Sequence, residues 1–121
     1  MTNKEKFYKM LDFCTNHDIV VIFNKDAIAY CYLDTREIYL GHFYLVNKRI
    51  TTDMLFDFLH EIGHILTNTI GEPVGISEYK ATQWSIDNSK LWGLKPSNKY
   101  KDTYNEYIIN CGCDLKLNWG D

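Results

Sequence analysis

Two histidines and a glutamate stand close together in one apolar stretch of the chain. His60, Glu61 and His64 form the pattern H-E-x-x-H between Met54 and Leu66. Residues four apart lie on the same face of a helix, so both imidazoles can reach one tetrahedral ion. Glu61 is rotated by about 100° from His60 and is therefore a poor further ligand on that face. It can instead accept a proton from an attacking water and later pass it to a leaving amine.

The low chance frequency of this motif and its position in a predicted helix support a metal-binding role. The pattern would arise in roughly 0.6% of shuffled chains of this composition, so chance explains it poorly. A pair of histidines with a purely structural role is the alternative. Gly63 lies inside the motif, where glycine costs about 1 kcal/mol relative to alanine in a helix interior. Close approach by the sheet or by a neighbouring helix would account for this glycine.

A catalytic zinc site needs a third protein ligand and one open position. His17 and His42 both lie upstream and stand in no recurring spacing to the motif. The extended pattern H-E-x-x-H-x-x-G-x-x-H is also missing, because Thr67 and Ile70 occupy the positions of its glycine and last histidine. We therefore expect a downstream carboxylate as the third ligand.

Three glutamates follow the motif, and Glu78 is the best placed of them. Glu72 precedes a proline in a predicted loop, and Glu106 is the only later glutamate. Glu78 falls in the first turn of the next predicted helix, which could pack antiparallel on the first and present the carboxylate to the metal. A charge that merely stabilises a helix start is the alternative. The sequence thus predicts Zn²⁺ held by His60, His64 and Glu78.

Other polar residues could assist such a site. Hydrolysis needs a hydrogen-bond donor beside the developing oxyanion. The candidate donors, among which the sequence does not choose, are Tyr39, His42, Tyr44 and Tyr79. Asp57 precedes His60 by three residues and could hydrogen-bond a ligand imidazole; the alternative is a solvated carboxylate on the helix face.

The four cysteines indicate free thiols. They are Cys14, Cys31, Cys111 and Cys113. The N-terminus has no apolar signal-peptide core, so we expect a reducing, cytoplasmic environment in which disulfides are rare. Cys111 and Cys113 form a C-x-C pair without a partner pair, which indicates either a structural zinc site or, more simply, a helix end with two half-buried thiols.

The elements around the motif predict an α+β domain. An amphipathic helix over 3–16, with a capping box from Thr2 to Glu5, is followed by strand-like runs at 19–23, 27–33 and 37–40. Their close connections predict a small antiparallel meander. The run 36–40 is either a sheet edge that could pair with an extended substrate or an interior strand; residues 42–50 are ambiguous.

Three helices are predicted in the second half of the chain. They are a motif helix from 53 to about 68 capped by Thr51 or Thr52, a helix from Ser77 to Trp92 after a loop at 69–75, and a last helix over 98–110 started by Ser97.

The two helices next to the motif carry a family resemblance. The segment from His60 to His64, H-E-I-G-H, followed by E-Y-K-A-T-Q-W-S from Glu78, resembles the ImmA/IrrE metallopeptidases of bacteria and phages, whose pattern is H-E-[IL]-G-H and then E-x-E-A-x-x-F-A. The resemblance implies that His60, His64 and Glu78 bind zinc and that Glu61 is catalytic.

This chain departs from the family pattern at three positions without losing a ligand. Lys80 replaces an acidic residue, Ser85 replaces alanine, and Asn68 stands where a histidine is often found. The resemblance covers roughly residues 36–110. Family members often cleave or act upon helix-turn-helix repressors encoded beside them, which implies a protein substrate of that kind in a phage or mobile element.

The composition and length of the chain limit the number of domains and the possible classes of function. The 121 residues, 45% of them hydrophobic, fit a single domain over 1–121. The net charge of -3 argues against direct nucleic-acid binding, and no apolar run is long enough to span a membrane. We therefore predict a minimal zincin-like domain and a gluzincin-like zinc metallopeptidase. The alternatives are a catalytically idle zinc-containing protein that sequesters a regulatory partner and, after it, a metal-free structural domain.

Overall fold

A computed structural model describes residues 1–46 and 49–120, which form five α-helices, one 3₁₀ turn and one three-stranded sheet. The helices are α1 (Asn3–Asn16), α2 (Phe43–Val46), α3 (Thr52–Thr67), α4 (Val74–Asn88) and α5 (Asn98–Asn110), and the 3₁₀ turn is Ser89–Trp92. The strands are β1 (Val20–Asn24), β2 (Ala29–Tyr32) and β3 (Glu37–Gly41). The α+β class is confirmed.

Helix α3, which carries the H-E-x-x-H motif, lies at the centre of the domain. Thr51 caps it by accepting a hydrogen bond from the Met54 amide, and Asn68 ends it in the left-handed conformation. All residues from Leu55 to Ile65 are buried except Asp57. The predicted cap and bounds are confirmed, and this nearly all-round burial fixes the orientation of the motif.

Helix α1 covers one side of α3. The predicted capping box is present, because Thr2 accepts from the Glu5 amide and the Glu5 side chain accepts from the Thr2 amide. The ring of Phe7, fully buried, lies 5.6 Å from the ring of Phe58 on α3 and stacks at 5.4 Å on Tyr44. Through Phe7, α1 packs against α3 and also against the short helix α2.

The predicted antiparallel meander is wrong in its strand order. The sheet has the order β1-β3-β2, with β1 parallel to β3 and β2 antiparallel to it. The connection from β1 to β2 passes over the end of β3 at Gly41, where a Cβ would lie 2.5 Å from the carbonyl oxygen of Ala27. A side chain at position 41 would therefore force the connection to shift.

The two faces of the sheet have different roles. Ile38 and Leu40 of β3 point into the core. On the outer face the ring of Tyr39 stacks at 4.9 Å on Tyr30, and Tyr32 meets Tyr39 edge-on at 5.6 Å. Since β3 is central, the interior-strand alternative for the run 36–40 is confirmed, and the edge beside α3 is β2.

Helix α4 begins earlier than predicted. It starts at Val74 after Pro73, whose fixed φ suits a helix start, rather than at Ser77. Glu78 therefore lies beyond the first turn, where the free N–H groups of a helix start do not stabilise its charge. The alternative reading of Glu78 as a helix-start charge loses its basis.

A close helix crossing joins α3 to α4. A Cβ on Gly63 would lie 2.5 Å from the carbonyl oxygen of Ala81, so the missing side chain lets the two backbones touch. The expected close approach at this glycine is confirmed, and the partner is α4. Ala81 is three residues from Glu78, so this contact sets the distance between the glutamate and the histidines.

Gly63→Ala is accordingly expected to destabilise the domain by about 1–3 kcal/mol, as overpacking does. Alanine alone would favour the helix by about 1 kcal/mol, so any loss must come from displacement of α4. Urea unfolding measures the stability, and a metal titration of the same variant should show weakened binding. An unfolding midpoint equal to or above that of the wild type would contradict the close crossing.

The remaining segments are α5, the C-terminal segment that follows it, and the stretch 42–50. The last helix has the predicted bounds and the predicted Ser97 cap. The following segment returns to α4, where the Asn118 amide donates to Gln83 at 2.8 Å. In the ambiguous stretch 42–50, Phe43–Val46 is a short helix and residues 47–48 lie outside the described residues. Among the described residues, the helices include none of the length and apolarity that crossing a membrane requires.

Candidate metal centre

Three side-chain atoms from α3 and α4 converge on one point. His60 Nε2 lies 2.7 Å from Glu78 Oε2, His64 Nε2 lies 3.1 Å from the same oxygen, and the two nitrogens are 3.1 Å apart. Ligand atoms about 2.0–2.1 Å from a tetrahedral ion are about 3.3 Å apart, so a small opening of this triangle accommodates one. The group can hold a metal ion.

The chemistry of the donors limits which ions fit. Two imidazole nitrogens and one carboxylate oxygen suit divalent transition metals, whereas Ca²⁺ and Mg²⁺ prefer oxygen ligands alone. Three protein ligands also leave a coordination position for water or substrate. His60 and His64 are buried and Glu78 is partly buried, so the ligands are shielded from bulk water.

Two hydroxyl groups of α4 orient the imidazoles. His60 Nδ1 lies 3.0 Å from Thr82 Oγ1, and His64 Nδ1 lies 3.2 Å from Ser77 Oγ. When each Nδ1–H donates to its hydroxyl, each Nε2 keeps a lone pair directed at the metal position. Ser77 is held in turn by Thr69, with 2.6 Å between their hydroxyl oxygens. Helix α4 therefore supplies a ligand and the partners of both other ligands.

The charges of the triad support one another. Burial alone would raise the pKa of Glu78, but hydrogen bonds and charge from His60 and His64 lower it well below its usual range. Burial alone would likewise lower the pKa of His64, and the hydrogen bond to Glu78 raises it above the ordinary value. The Glu78 carboxylate is thus ionised at neutral pH, as a metal ligand must be.

Glu61 lies next to the triad without belonging to it. It is buried on α3 and borders the same cleft as the ligands. Burial raises its pKa, although the two histidines and a hydrogen bond from the Cys31 thiol act in the opposite direction. A raised pKa brings the carboxyl closer to the range in which it can both take up and release protons.

A cleft of about 760 Å³ gives access to these residues. Its walls are the edge strand β2, helix α3, the start of α4 and one face of α5. From β2 it is lined by Ala29 and Cys31, and from α5 by Tyr100, Tyr104 and Tyr107. A cleft of this size, open to solvent, has room for a short extended peptide.

The four predicted oxyanion donors lie away from this cleft. Tyr39 is on the outer face of the sheet, and His42 is exposed beyond its end. The hydroxyl of Tyr44 is occupied, donating at 2.7 Å to the Met54 carbonyl. Tyr79 follows Glu78 on α4 but is absent from the described cleft lining. The structure brings none of these four described residues to the metal ligands.

Asp57 does not make the expected hydrogen bond to a ligand imidazole, and Cys111 and Cys113 lie at a helix end. Asp57 borders the cleft, but it accepts a hydrogen bond at 3.1 Å from the Tyr104 hydroxyl, whereas His60 is held by Thr82. Cys111 is half-buried and Cys113 buried just past the end of α5, as the helix-end alternative expected, and all four cysteines are free.

The residues that sequence reasoning missed are Ser77, Thr82 and the α5 tyrosines. Ser77 was assigned as a helix cap. Thr82 follows Glu78 by four residues and so lies on the same helical face. This spacing could have indicated that Thr82 is near the metal ligands. Tyr104 has no motif that marks it in the sequence, yet its ring lies 5.5 Å from that of His60.

Thr82→Val should weaken metal binding by about 10–100-fold, the usual cost of removing the partner of a ligand imidazole. Valine keeps the volume of the fully buried side chain but gives the His60 Nδ1–H no acceptor. Competition with a chromophoric chelator measures the affinity. Thr82→Ser restores the hydroxyl and serves as the control; equal affinities for the two variants would contradict the orienting role.

Comparison with known proteins gives no independent assignment. No protein-family profile, no curated protein and no solved structure matches this chain. A functional conclusion therefore depends on the geometry and chemistry of the centre.

Proposed function

We propose that this protein is a zinc-dependent peptidase in which His60, His64 and Glu78 hold the metal and Glu61 transfers the proton. The observation that carries this proposal is the convergence of His60 Nε2, His64 Nε2 and Glu78 Oε2 within 3.1 Å of one another, with Glu61 beside them in an open cleft. A purely structural zinc site would instead have four protein ligands and no open position.

When bound, a zinc ion acts as a Lewis acid that polarises the substrate carbonyl and makes water a better nucleophile. The protein's own residues do the rest. Glu61 accepts the proton of the attacking water and delivers it to the leaving amine. Thr82 and Ser77 keep His60 and His64 in the tautomer that binds metal. The buried position of Glu61 limits competing exchange with bulk water.

The cleft walls support a peptide as the substrate. Strand β2 is paired with β3 on one side only within the described sheet, so its other edge has backbone groups free to pair with an extended chain. Ala29 and Cys31 of β2 border the cleft, so a peptide added to this edge would pass next to Glu61. Its scissile bond would then come within reach of the metal.

The resemblance to the ImmA/IrrE metallopeptidases supports the same function and suggests the partner. We propose a protein substrate, with a helix-turn-helix repressor of a phage or mobile element as the first to test. Glu61, which that family uses as the catalytic glutamate, is intact beside both histidines, and this favours a peptidase over a protein that only sequesters its partner.

The experiment that tests the proposal is cleavage of an unfolded protein by the metal-free chain, the zinc-loaded chain and the zinc-loaded chain after chelation. We expect cleavage in the zinc-loaded sample alone, with mass spectrometry identifying the new termini. Addition of zinc to the chelated sample should restore it. Stoichiometric zinc without cleavage of unfolded proteins or repressors would sink the peptidase proposal while leaving the metal site in place.

A further inference from the structure

The reaction proposed above needs one group that Glu61 and the three ligands do not provide. When water adds to the carbonyl carbon, its oxygen forms the new C–O bond, its proton passes to Glu61, and the carbonyl π electrons move onto the carbonyl oxygen. A preorganised hydrogen-bond donor aimed at this oxyanion typically accelerates such reactions about 10²–10³-fold. The donor must border the cleft on the side of the metal ligands.

The described cleft lining contains six hydroxyl groups. They belong to Tyr30, Ser77, Tyr100, Thr103, Tyr104 and Tyr107. The hydroxyl groups of Ser77 and Thr103 already have hydrogen-bond partners. The Ser77 hydroxyl contacts His64 and Thr69, and the Thr103 hydroxyl donates to the Lys99 carbonyl at 2.8 Å. Neither hydroxyl is therefore free to donate to the oxyanion of the substrate.

The other three tyrosines are less well placed. Tyr104 donates to Asp57, and the hydroxyl of Tyr100, which has no hydrogen-bond partner among the described residues, is buried below the cleft surface. The ring of Tyr30 stacks on Tyr39 at the outer face of the sheet. The Lys99 ammonium is a further donor, but it precedes Tyr107 by two helical turns, about 12 Å along the axis, and so lies towards the other end of the cleft.

Tyr107 is distinguished from the other five by its position next to the ligand Glu78. Residues 100, 104 and 107 share one face of α5, with ring centroids of Tyr104 and Tyr107 5.7 Å apart. The Tyr107 side chain is 40% exposed and lines the cleft. It lies close enough to Glu78 to interact directly with that carboxylate. A phenol is protonated at neutral pH, so Tyr107 can donate a hydrogen bond beside this ligand.

We infer that Tyr107 is a catalytic residue whose hydroxyl donates a hydrogen bond to the oxyanion formed on the substrate. The inference depends on the proposed peptidase function. Tyr107 forms no covalent bond and loses no proton in this role. When the C–N bond breaks, its electron pair goes to the nitrogen, which takes the proton from Glu61, and the oxyanion returns to a carbonyl. The hydrogen bond of Tyr107 then weakens.

The test compares Tyr107→Phe with Tyr79→Phe, which loses the same hydroxyl one residue from Glu78 but outside the described cleft lining. Both variants should retain the zinc content of the wild type. Tyr107→Phe should lower kcat about 10²–10³-fold with KM changed less than about threefold, since the donor acts in the transition state. Tyr79→Phe should leave both constants unchanged. Equal kcat values for the two variants would overturn the inference.

A binding measurement separates this inference from the peptidase proposal. An N-phosphoryl dipeptide presents a tetrahedral oxyanion, whereas a dipeptide hydroxamate chelates the metal without one. Calorimetry on the zinc-loaded proteins should show that Tyr107→Phe loses at least tenfold in affinity for the phosphoryl compound and less than threefold for the hydroxamate. That result in a protein without activity would uphold the Tyr107 contact and sink the peptidase; equal losses for both compounds would overturn the contact.

Discussion

Glu61→Gln is expected to lower the rate of peptide hydrolysis by about 10²–10⁴-fold, which is the usual contribution of a general base. The same variant should keep its metal, because Glu61 lies beside the triad of His60, His64 and Glu78 without belonging to it. Glutamine has nearly the same volume and fits the same buried position. The measurements are kcat on an unfolded protein substrate and zinc content by elemental analysis.

Glu72→Gln is the matched control for this variant. Glu72 is also a carboxylate near α4, but it pairs with Lys80 at 2.7 Å instead of bordering the metal. It should therefore retain full activity. Wild-type rates in Glu61→Gln would refute the catalytic role of this residue. Stoichiometric binding of a repressor without cleavage, unchanged by the substitution, would instead favour the protein that sequesters its partner.

His64→Ala and Glu78→Ala are each expected to lose more than about 100-fold in zinc affinity. The loss should exceed that of Thr82→Val, because a ligand itself is removed rather than the partner of a ligand. The wild-type protein should contain close to one equivalent of zinc. At a free metal concentration 1,000-fold above its Kd, binding adds about 4 kcal/mol to stability, so the wild type should melt at least 10 °C higher with zinc than after chelation, given about 4 °C per kcal/mol.

The controls for the metal site are His17→Ala and Glu72→Ala. His17 interacts with the Phe13 carbonyl at the exposed end of α1 and belongs neither to the triad nor to the described cleft lining. Both controls should keep zinc and the metal-dependent shift in melting temperature. Full zinc content in His64→Ala or Glu78→Ala would contradict the proposed ligand set, and a wild-type protein that takes up no zinc would remove the basis of the peptidase.

Local signals in the sequence predicted the helices well. The caps at Thr2, Thr51 and Ser97 are hydrogen bonds between neighbours in the chain, so they can be read without knowledge of the fold. Strand order is different, because it depends on which strand can occupy the middle. Here the β1–β2 connection crosses β3 and Ala27 approaches Gly41, and such a contact between distant backbones leaves no periodic pattern in the sequence.

The same distinction holds within the candidate site. The spacing of His60 and His64, with Glu78 on the following helix, predicted a group that the structure brings together. The residues facing the cleft from α5 could not be chosen, because nine tyrosines in the chain offer similar local patterns. Only the packing of α5 beside α3 separates Tyr104 and Tyr107 from tyrosines such as Tyr39 that face outward.

The hydroxyl partners of the imidazoles have a consequence for how the protein would respond to its surroundings. Thr82 and Ser77 lie on the same helix as the ligand Glu78. A displacement of α4 relative to α3 would therefore move one ligand and the partners of the other two together. Any event that changes the packing of these two helices would alter the whole donor set at once.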